Sequence, residues 1–268
     1  MAVQSAQGLD VSNYQGKFNW SSVSGLSFGV YRLTQGLGHG TNSPDPYASW
    51  NNQQIKAHGL ARGAYHFLDP RLSGAAQAEY FVSQYSAIGL ENTDMLWLDN
   101  ETSGPSPQKV SAAAVAFMTE LRKLRPKNPC GVYTYISFAT GGNCAGLSDW
   151  PLWLAYPASA SPKPPPPWTN WTFWQWGTRK GVDADAFNGT ADGLQAWIAS
   201  YSTPAPQAFS APARTSIRAV AKQHGRTVPE VIWLTASHRQ QCFGKMQSSY
   251  IAAGNWDAPM PVGMVVWT

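Results

Sequence analysis

The chain has 268 residues, enough for one large domain or a large domain with a small module. Hydrophobic residues at 43% suffice for a folded core, charged residues at 13% are scarce, and no apolar run approaches the ~20 residues of a membrane span. Residues 1–213 are balanced in charge; the whole formal excess of +4 falls in residues 214–268, where Arg214, Arg218, Lys222, Arg226, Arg239 and Lys245 face only Glu230 and Asp257.

In chain order, Gly8-Leu9-Asp10-Val11-Ser12 reads as a short strand with an acid near its end, and Phe28 to Leu33 as a second strand. Helical spacing follows from about Pro46 to His58, then a third strand over Gly63-Ala64-Tyr65-His66-Phe67 and a helix from Ala75 to Tyr85. Met95-Leu96-Trp97-Leu98-Asp99 is an apolar strand, and Asp99 and Glu101 close it. Side chains at i and i+2 of an extended strand share a face about 6.6 Å apart, so these two acids are neighbours. Val110, Ala114, Phe117, Leu121 and Leu124 form one stripe of a helix from about Ser106 to Leu124. Gly131 to Tyr135 is a further strand. After Cys144 helical patterning fades, and Leu152 to Tyr156, Thr172 to Trp176 and Val182-Asp183 read as strands; the five prolines between Ser161 and Pro167 require an extended loop.

Strands alternating with helices of 10–15 residues indicate parallel βαβ units. About eight strands over ~200 residues fit an α/β fold, a (β/α) barrel whose later helices are lost. Chemistry in such barrels lies at the strands' C-terminal ends, and Asp10, Asp99, Glu101 and Asp183 are all expected there. Clustered carboxylates with no metal-ligand spacing, nucleophile motif or phosphate loop point to glycoside hydrolysis, in which one carboxyl donates a proton and another steadies positive charge. No cofactor or metal is expected. Thirteen Trp and eleven Tyr suit stacking on sugar rings, or an aromatic core. Cys130 and Cys144 could close a loop of about 15 residues, leaving Cys242 over; the spacing does not decide whether they pair.

Four stretches, Gly8-Leu9-Asp10-Val11-Ser12-Asn13-Tyr14-Gln15-Gly16, Gly63-Ala64-Tyr65-His66-Phe67, Trp97-Leu98-Asp99-Asn100-Glu101 and Val182-Asp183-Ala184-Asp185-Ala186-Phe187-Asn188-Gly189, resemble the glycoside hydrolase family 25 muramidases, the Chalaropsis-type lysozymes that include phage endolysins. Trp153-Leu154-Ala155-Tyr156 and Trp174-Gln175-Trp176 are similar to that family's later strands. The resemblance implies a catalytic domain over residues 1–201, folded as a flattened, incomplete (β/α) barrel, that cuts the β-1,4 bond between N-acetylmuramic acid and N-acetylglucosamine in peptidoglycan. It implies Glu101 as the general acid, Asp99 as stabiliser of the oxocarbenium-like centre or of the substrate's acetamido group, and Asp10 and Asp183 as acids that shape the groove. Tyr65, Tyr135, Trp153, Tyr156 and Gln175 are its expected substrate-binding residues, and Asp185, where the family often has Asn, is expected to be structural. One departure is Gln35, where the commoner motif Lys-Ala-Thr-Glu-Gly has an acid. A chitinase-like glycosidase, or a wall-binding protein with an inactive barrel, would share much of this pattern.

Residues 202–213 read as a Pro/Ala-rich linker and 214–268 as a small cell-wall-binding module that resembles a LysM unit from Ala221 to Val231, without its usual Gly-Asp-Thr opening. Its basic charge suits anionic wall polymers; base-stacking aromatics interleaved with cations, which a nucleic-acid partner would require, are not patterned here. Neither nucleic acid nor a membrane is expected as partner, and the protein is expected to act as a monomer. Met1 to Gln7 has no charged n-region or apolar h-region. A phage endolysin made in the host cytoplasm, reaching the wall through a holin pore, is the expectation.

Overall fold

The computed structural model describes residues 5–38, 43–158 and 160–202. The expected linker beyond Ser202, the module at 214–268 and Cys242 lie outside the described residues.

Eight strands, β1 (Gln7–Val11), β2 (Phe28–Gln35), β3 (Ala61–Phe67), β4 (Met95–Asp99), β5 (Cys130–Tyr135), β6 (Leu152–Ala155), β7 (Phe173–Arg179) and β8 (Val182–Phe187), close into one barrel in sequence order. All eight were expected. Neighbours from β1 to β7 pair in parallel, but β8 is antiparallel to both β7 and β1. The reason is local: Lys180 (φ 52°) and Gly181 (φ 78°) turn the chain straight back after Arg179, a hairpin that leaves no room for a crossover helix. The expected barrel of about eight strands with incomplete helical cover is borne out. One expectation is corrected: Asp183 stands near the start of the last strand rather than at its end.

The helical cover consists of α1 (Ala48–Ala57), α2 (Gly74–Ala87) and α3 (Pro107–Leu124), close to the expected spans. Ser106 caps α3 by accepting a hydrogen bond from the Lys109 N–H (3.3 Å), Pro107 follows in the first turn, and Arg122 and Lys123 lie in the last turn, where the helix dipole favours cations. The α3 stripe Val110, Ala114, Phe117 and Leu121 is fully buried. Each such Leu or Phe contributes about 1.5–3 kcal/mol relative to exposure. After β5 the cover dwindles to the single turn α4 (Ile136–Phe138).

Strand alternation divides the core in two. Leu9, Val11, Leu96, Leu98, Val132, Leu152 and Leu154 point outward into the layer beneath the helices. Phe28, Val30, Met95, Trp97, Trp153, Phe173 and Phe187 point inward and fill the lower barrel. A helix absent from the sequence expectations, α5 (Ala191–Ser202), adds Leu194, Trp197 and Ile198 to that inner core. The Trp197 ring stacks on Trp97 with centroids 6.4 Å apart and meets Phe173 edge-on at 5.5 Å. Trp97, two residues before Asp99 on the same face, thus gives the site a rigid floor.

Cys130 and Cys144 are buried free thiols. Cys130 begins β5, while Cys144 sulfur approaches Thr134, four residues further along that strand. Four residues of strand span about 13 Å, far beyond disulfide reach.

Candidate active site

Above the aromatic floor the inward positions become polar. Around the rim stand Asp183 (β8), Asp10 (β1), Arg32 (β2), Tyr65 and Phe67 (β3), Asp99 and Glu101 (at the end of β4), Tyr133 (β5), Trp153 (β6) and Gln175 (β7), which together with Ser12, Tyr14 and Gln15 line an open pit of about 200 Å³. Asp10 lies directly opposite Asp183 in the antiparallel register, and Phe67 and Tyr133 flank Asp99 in the parallel one. All four acids expected to be catalytic come together here, as do Tyr65, Trp153 and Gln175.

Tyr135 and Tyr156, also expected to bind substrate, do not line this pit. Tyr133, one inward step earlier, is level with Asp99, whereas Tyr135 leads into α4 and packs its ring on Phe138 at 5.5 Å. Tyr156 lies just beyond β6, three residues after the inward Trp153 and so of opposite parity. Six lining residues were not foreseen: Ser12, Tyr14, Gln15, Arg32, Phe67 and Tyr133. Alternation offers a signal for two of them, because Ser12 follows Asp10, and Phe67 follows Tyr65, at an interval of two.

The carboxyls differ in environment. Asp10 accepts a hydrogen bond from Gln175 Nε2 (2.8 Å), and Gln175 Oε1 in turn accepts from the Tyr133 hydroxyl (3.0 Å). Burial, and then the Asp183 charge, push the Asp10 carboxyl from 3.8 up to about 7 despite that bond. Asp185 lies deeper, fully buried, and accepts from the Trp153 indole N–H (2.8 Å). It is absent from the pit lining, in keeping with a structural role.

Asp99 is 6% exposed, and its Oδ1 is buried with no hydrogen-bond partner among the described residues. Burial, followed by the Glu101 and Asp10 charges, holds Asp99 well above the usual carboxylate range, with Arg32 pulling the other way. Glu101, two residues on and only partly covered, is raised by burial and by Asp183. The pit therefore presents a protonatable acid near its mouth and an unpartnered buried oxygen beneath it. That is the division of labour acid-catalysed glycoside cleavage requires.

Among the described residues no group of three or more His, Cys, Asp or Glu side chains is placed to hold a metal ion, and no helix is long and apolar enough to cross a membrane.

Comparison with known proteins agrees with this geometry. A family model described as glycosyl hydrolases family 25 matches residues 9–186. Lysozyme M1 of Streptomyces globisporus is 33% identical over 210 residues, covering 71% of this chain and 70% of that protein. The N,O-diacetylmuramidase of Arthroderma benhamiae is 30% identical over 207 residues, covering 71% and 86% respectively. Among solved structures, a bacterial lysozyme from Streptomyces coelicolor superimposes with a TM-score of 0.62 at 32% identity, covering 72% of this chain and 96% of that one.

Proposed function

The chain belongs to the family 25 glycosyl hydrolases, and from that premise we propose that it is a muramidase, a lysozyme that hydrolyses the β-1,4 bond between N-acetylmuramic acid and N-acetylglucosamine in peptidoglycan. The observation that carries the mechanism is the buried, unpartnered Asp99 Oδ1 beside the raised Glu101 carboxyl.

Glu101 donates its proton to the glycosidic oxygen as the bond to the anomeric carbon breaks. The acetamido carbonyl oxygen of the same sugar attacks that carbon, and Asp99 Oδ1 accepts the acetamido N–H. Burial and the Glu101 and Asp10 charges disfavour an Asp99 charge, with only Arg32 opposing them, and the positive charge developing on the acetamido group adds a second counter-charge. Asp99 thus stabilises the transition state more than the ground state. The Glu101 carboxylate then takes a proton from water as water opens the ring intermediate, and Glu101 ends protonated as it began. Asp10, fixed by Gln175, and Asp183 keep the neighbouring field negative, which favours the proton on Glu101 at rest.

The same reading extends to the tail. Six basic side chains against two acidic ones in residues 214–268 suit anionic wall polymers, and tethering raises the enzyme's local concentration on its substrate. Deleting residues 203–268 is expected to lower retention on purified Gram-positive walls at low salt; unchanged retention argues against a binding role.

Digestion of purified peptidoglycan, borohydride reduction and mass spectrometry test the bond cleaved. Reduced muramic acid ends are expected; reduced glucosamine ends, or hydrolysis confined to chitin oligomers, would overturn the assignment.

A further inference from the structure

Arg32 is the one cation lining the pit among the described residues. It is 9% exposed, rises from β2 between Asp10 and Tyr65, and is fixed from behind. Asp45, 4% exposed, sits 3.3 Å from Arg32 Nε, and its carboxylate also accepts the backbone N–H groups of Asn13 (2.7 Å) and Tyr47 (3.0 Å). Arg32 Nη2 donates to Asn13 Oδ1. A guanidinium carries five N–H donors; here one Nη2 hydrogen is donated to Asn13, while Nε is held near Asp45 by charge without a hydrogen bond of its own. Above it stands the Tyr14 ring, 85% exposed, with the guanidinium carbon 5.8 Å from its centroid. The fork is therefore oriented, partly uncommitted and open to the pit, the one cationic donor beside its four carboxyls.

The two sugars of the substrate differ at one position. Muramic acid carries a lactyl ether on C3, ending in a carboxyl or, where the peptide is attached, an amide carbonyl; glucosamine has a hydroxyl there. C3 adjoins C2, whose acetamido group the mechanism places at Asp99, and Arg32 is near enough to Asp99 to pull its titration downward. Of the other side-chain nitrogen donors in the lining, Gln175 is used on Asp10 and Trp153 on Asp185, and Gln15 is neutral, so Arg32 alone offers a charged fork.

We propose that Arg32, oriented by Asp45 and Asn13 beneath Tyr14, is the specificity-determining residue that reads the lactyl carbonyl of muramic acid and so separates peptidoglycan from chitin. The proposal rests on the muramidase reading above. A fork of this kind is worth about 10- to 100-fold in discrimination, because substrates without the carbonyl leave it unpaired.

The test uses the full chain, wild type and Arg32→Gln, on two glycan strands: one with free lactyl carboxyls and one in which those carboxyls are chemically reduced to alcohols. Wild type is expected to lose about 10- to 100-fold in kcat/KM, mostly through KM, when the carboxyl is reduced. Arg32→Gln is expected to show that loss already on the carboxyl substrate and to be indifferent to reduction, with Arg32→Lys recovering part of the preference. A wild type indifferent to reduction overturns the proposal. So does an Arg32→Gln enzyme slowed equally on both strands while the preference persists, since that marks a structural loss. Absence of hydrolysis of either strand by wild type instead contradicts the muramidase reading itself.

Discussion

Asp10 and Asp183 face each other across the antiparallel pairing of β1 with β8. Because β8 runs downward, its second residue reaches the same end of the barrel as the last residues of the parallel strands, and the hairpin at Lys180 and Gly181 delivers an acid where a crossover would have delivered a helix. Asp183 then raises Glu101 by its charge.

That relationship fixes a pH effect. A general acid works only while protonated, so activity falls as pH rises through the Glu101 pKa. Removing the Asp183 charge removes one cause of the raised value, so Asp183→Asn is expected to shift the alkaline limb of the kcat/KM profile to lower pH. A limb that stays in place shows that Asp183 does not act through Glu101.

Stability carries its own pH signature. Asp10 is raised from 3.8 to about 7, so between those values the folded chain holds a proton the unfolded chain has lost. Its contribution is fully present below about pH 4, is lost as pH rises to about 7, and amounts to at most about 4 kcal/mol. His66 opposes it. Burial lowers that imidazole from 6.5 to about 4, so its contribution is present above pH 6.5 and is lost as pH falls. Asp10→Asn removes the Asp10 share of the loss on raising pH while the other raised carboxyls and His66 keep theirs, so denaturant midpoints at pH 4.5 and 7.5 should show higher relative stability at the upper value than in wild type. An unchanged difference between the two pH values contradicts this assignment.

The contact between α2 and α3 tolerates no side chain at its closest point. A Cβ added to Gly74 would stand 2.0 Å from the Ala113 carbonyl oxygen, a backbone atom that no rotamer change moves away. Gly74→Ala is expected to cost about 1–3 kcal/mol, read as a lower Tm, with the pH profile of activity unchanged. A Tm equal to wild type would mean that the helices separate freely there.

The buried thiols are expected to be inert. Burial pushes both Cys130 and Cys144 up to about 11, where little thiolate exists at neutral pH. Mass spectrometry after alkylation of the native protein should show both unmodified, and reductant should leave Tm unchanged. A Cys130–Cys144 linked peptide in a non-reduced digest would contradict the separation seen along β5.

The strands and their inward acids were legible because alternation and β-branched or aromatic runs are local signals, and eight of them in order imply a ring. The direction of β8 was not, because it depends on a two-residue turn that resembles any polar loop. Tyr133 and Tyr135 show a second limit. Both have the parity of an inward residue, and only the pairing of Tyr133 with Asp99, a tertiary fact, decides which one reaches the pit. Arg32 was not legible as a site residue, since its importance comes from Asp45, thirteen positions away, and from Tyr14 in the turn after β1. The plug formed by α5 was missed because its apolar residues follow a stretch in which helical patterning had faded.

The central claim is that Glu101 supplies the proton for cleavage while Asp99 steadies the charge that follows. Release of reducing ends from purified Gram-positive peptidoglycan, compared between wild type and a folded Glu101→Gln enzyme, tests it most directly. A loss of at least about 100-fold in kcat is predicted, the scale of a missing general acid. A variant that releases reducing ends at nearly the wild-type rate would contradict the account.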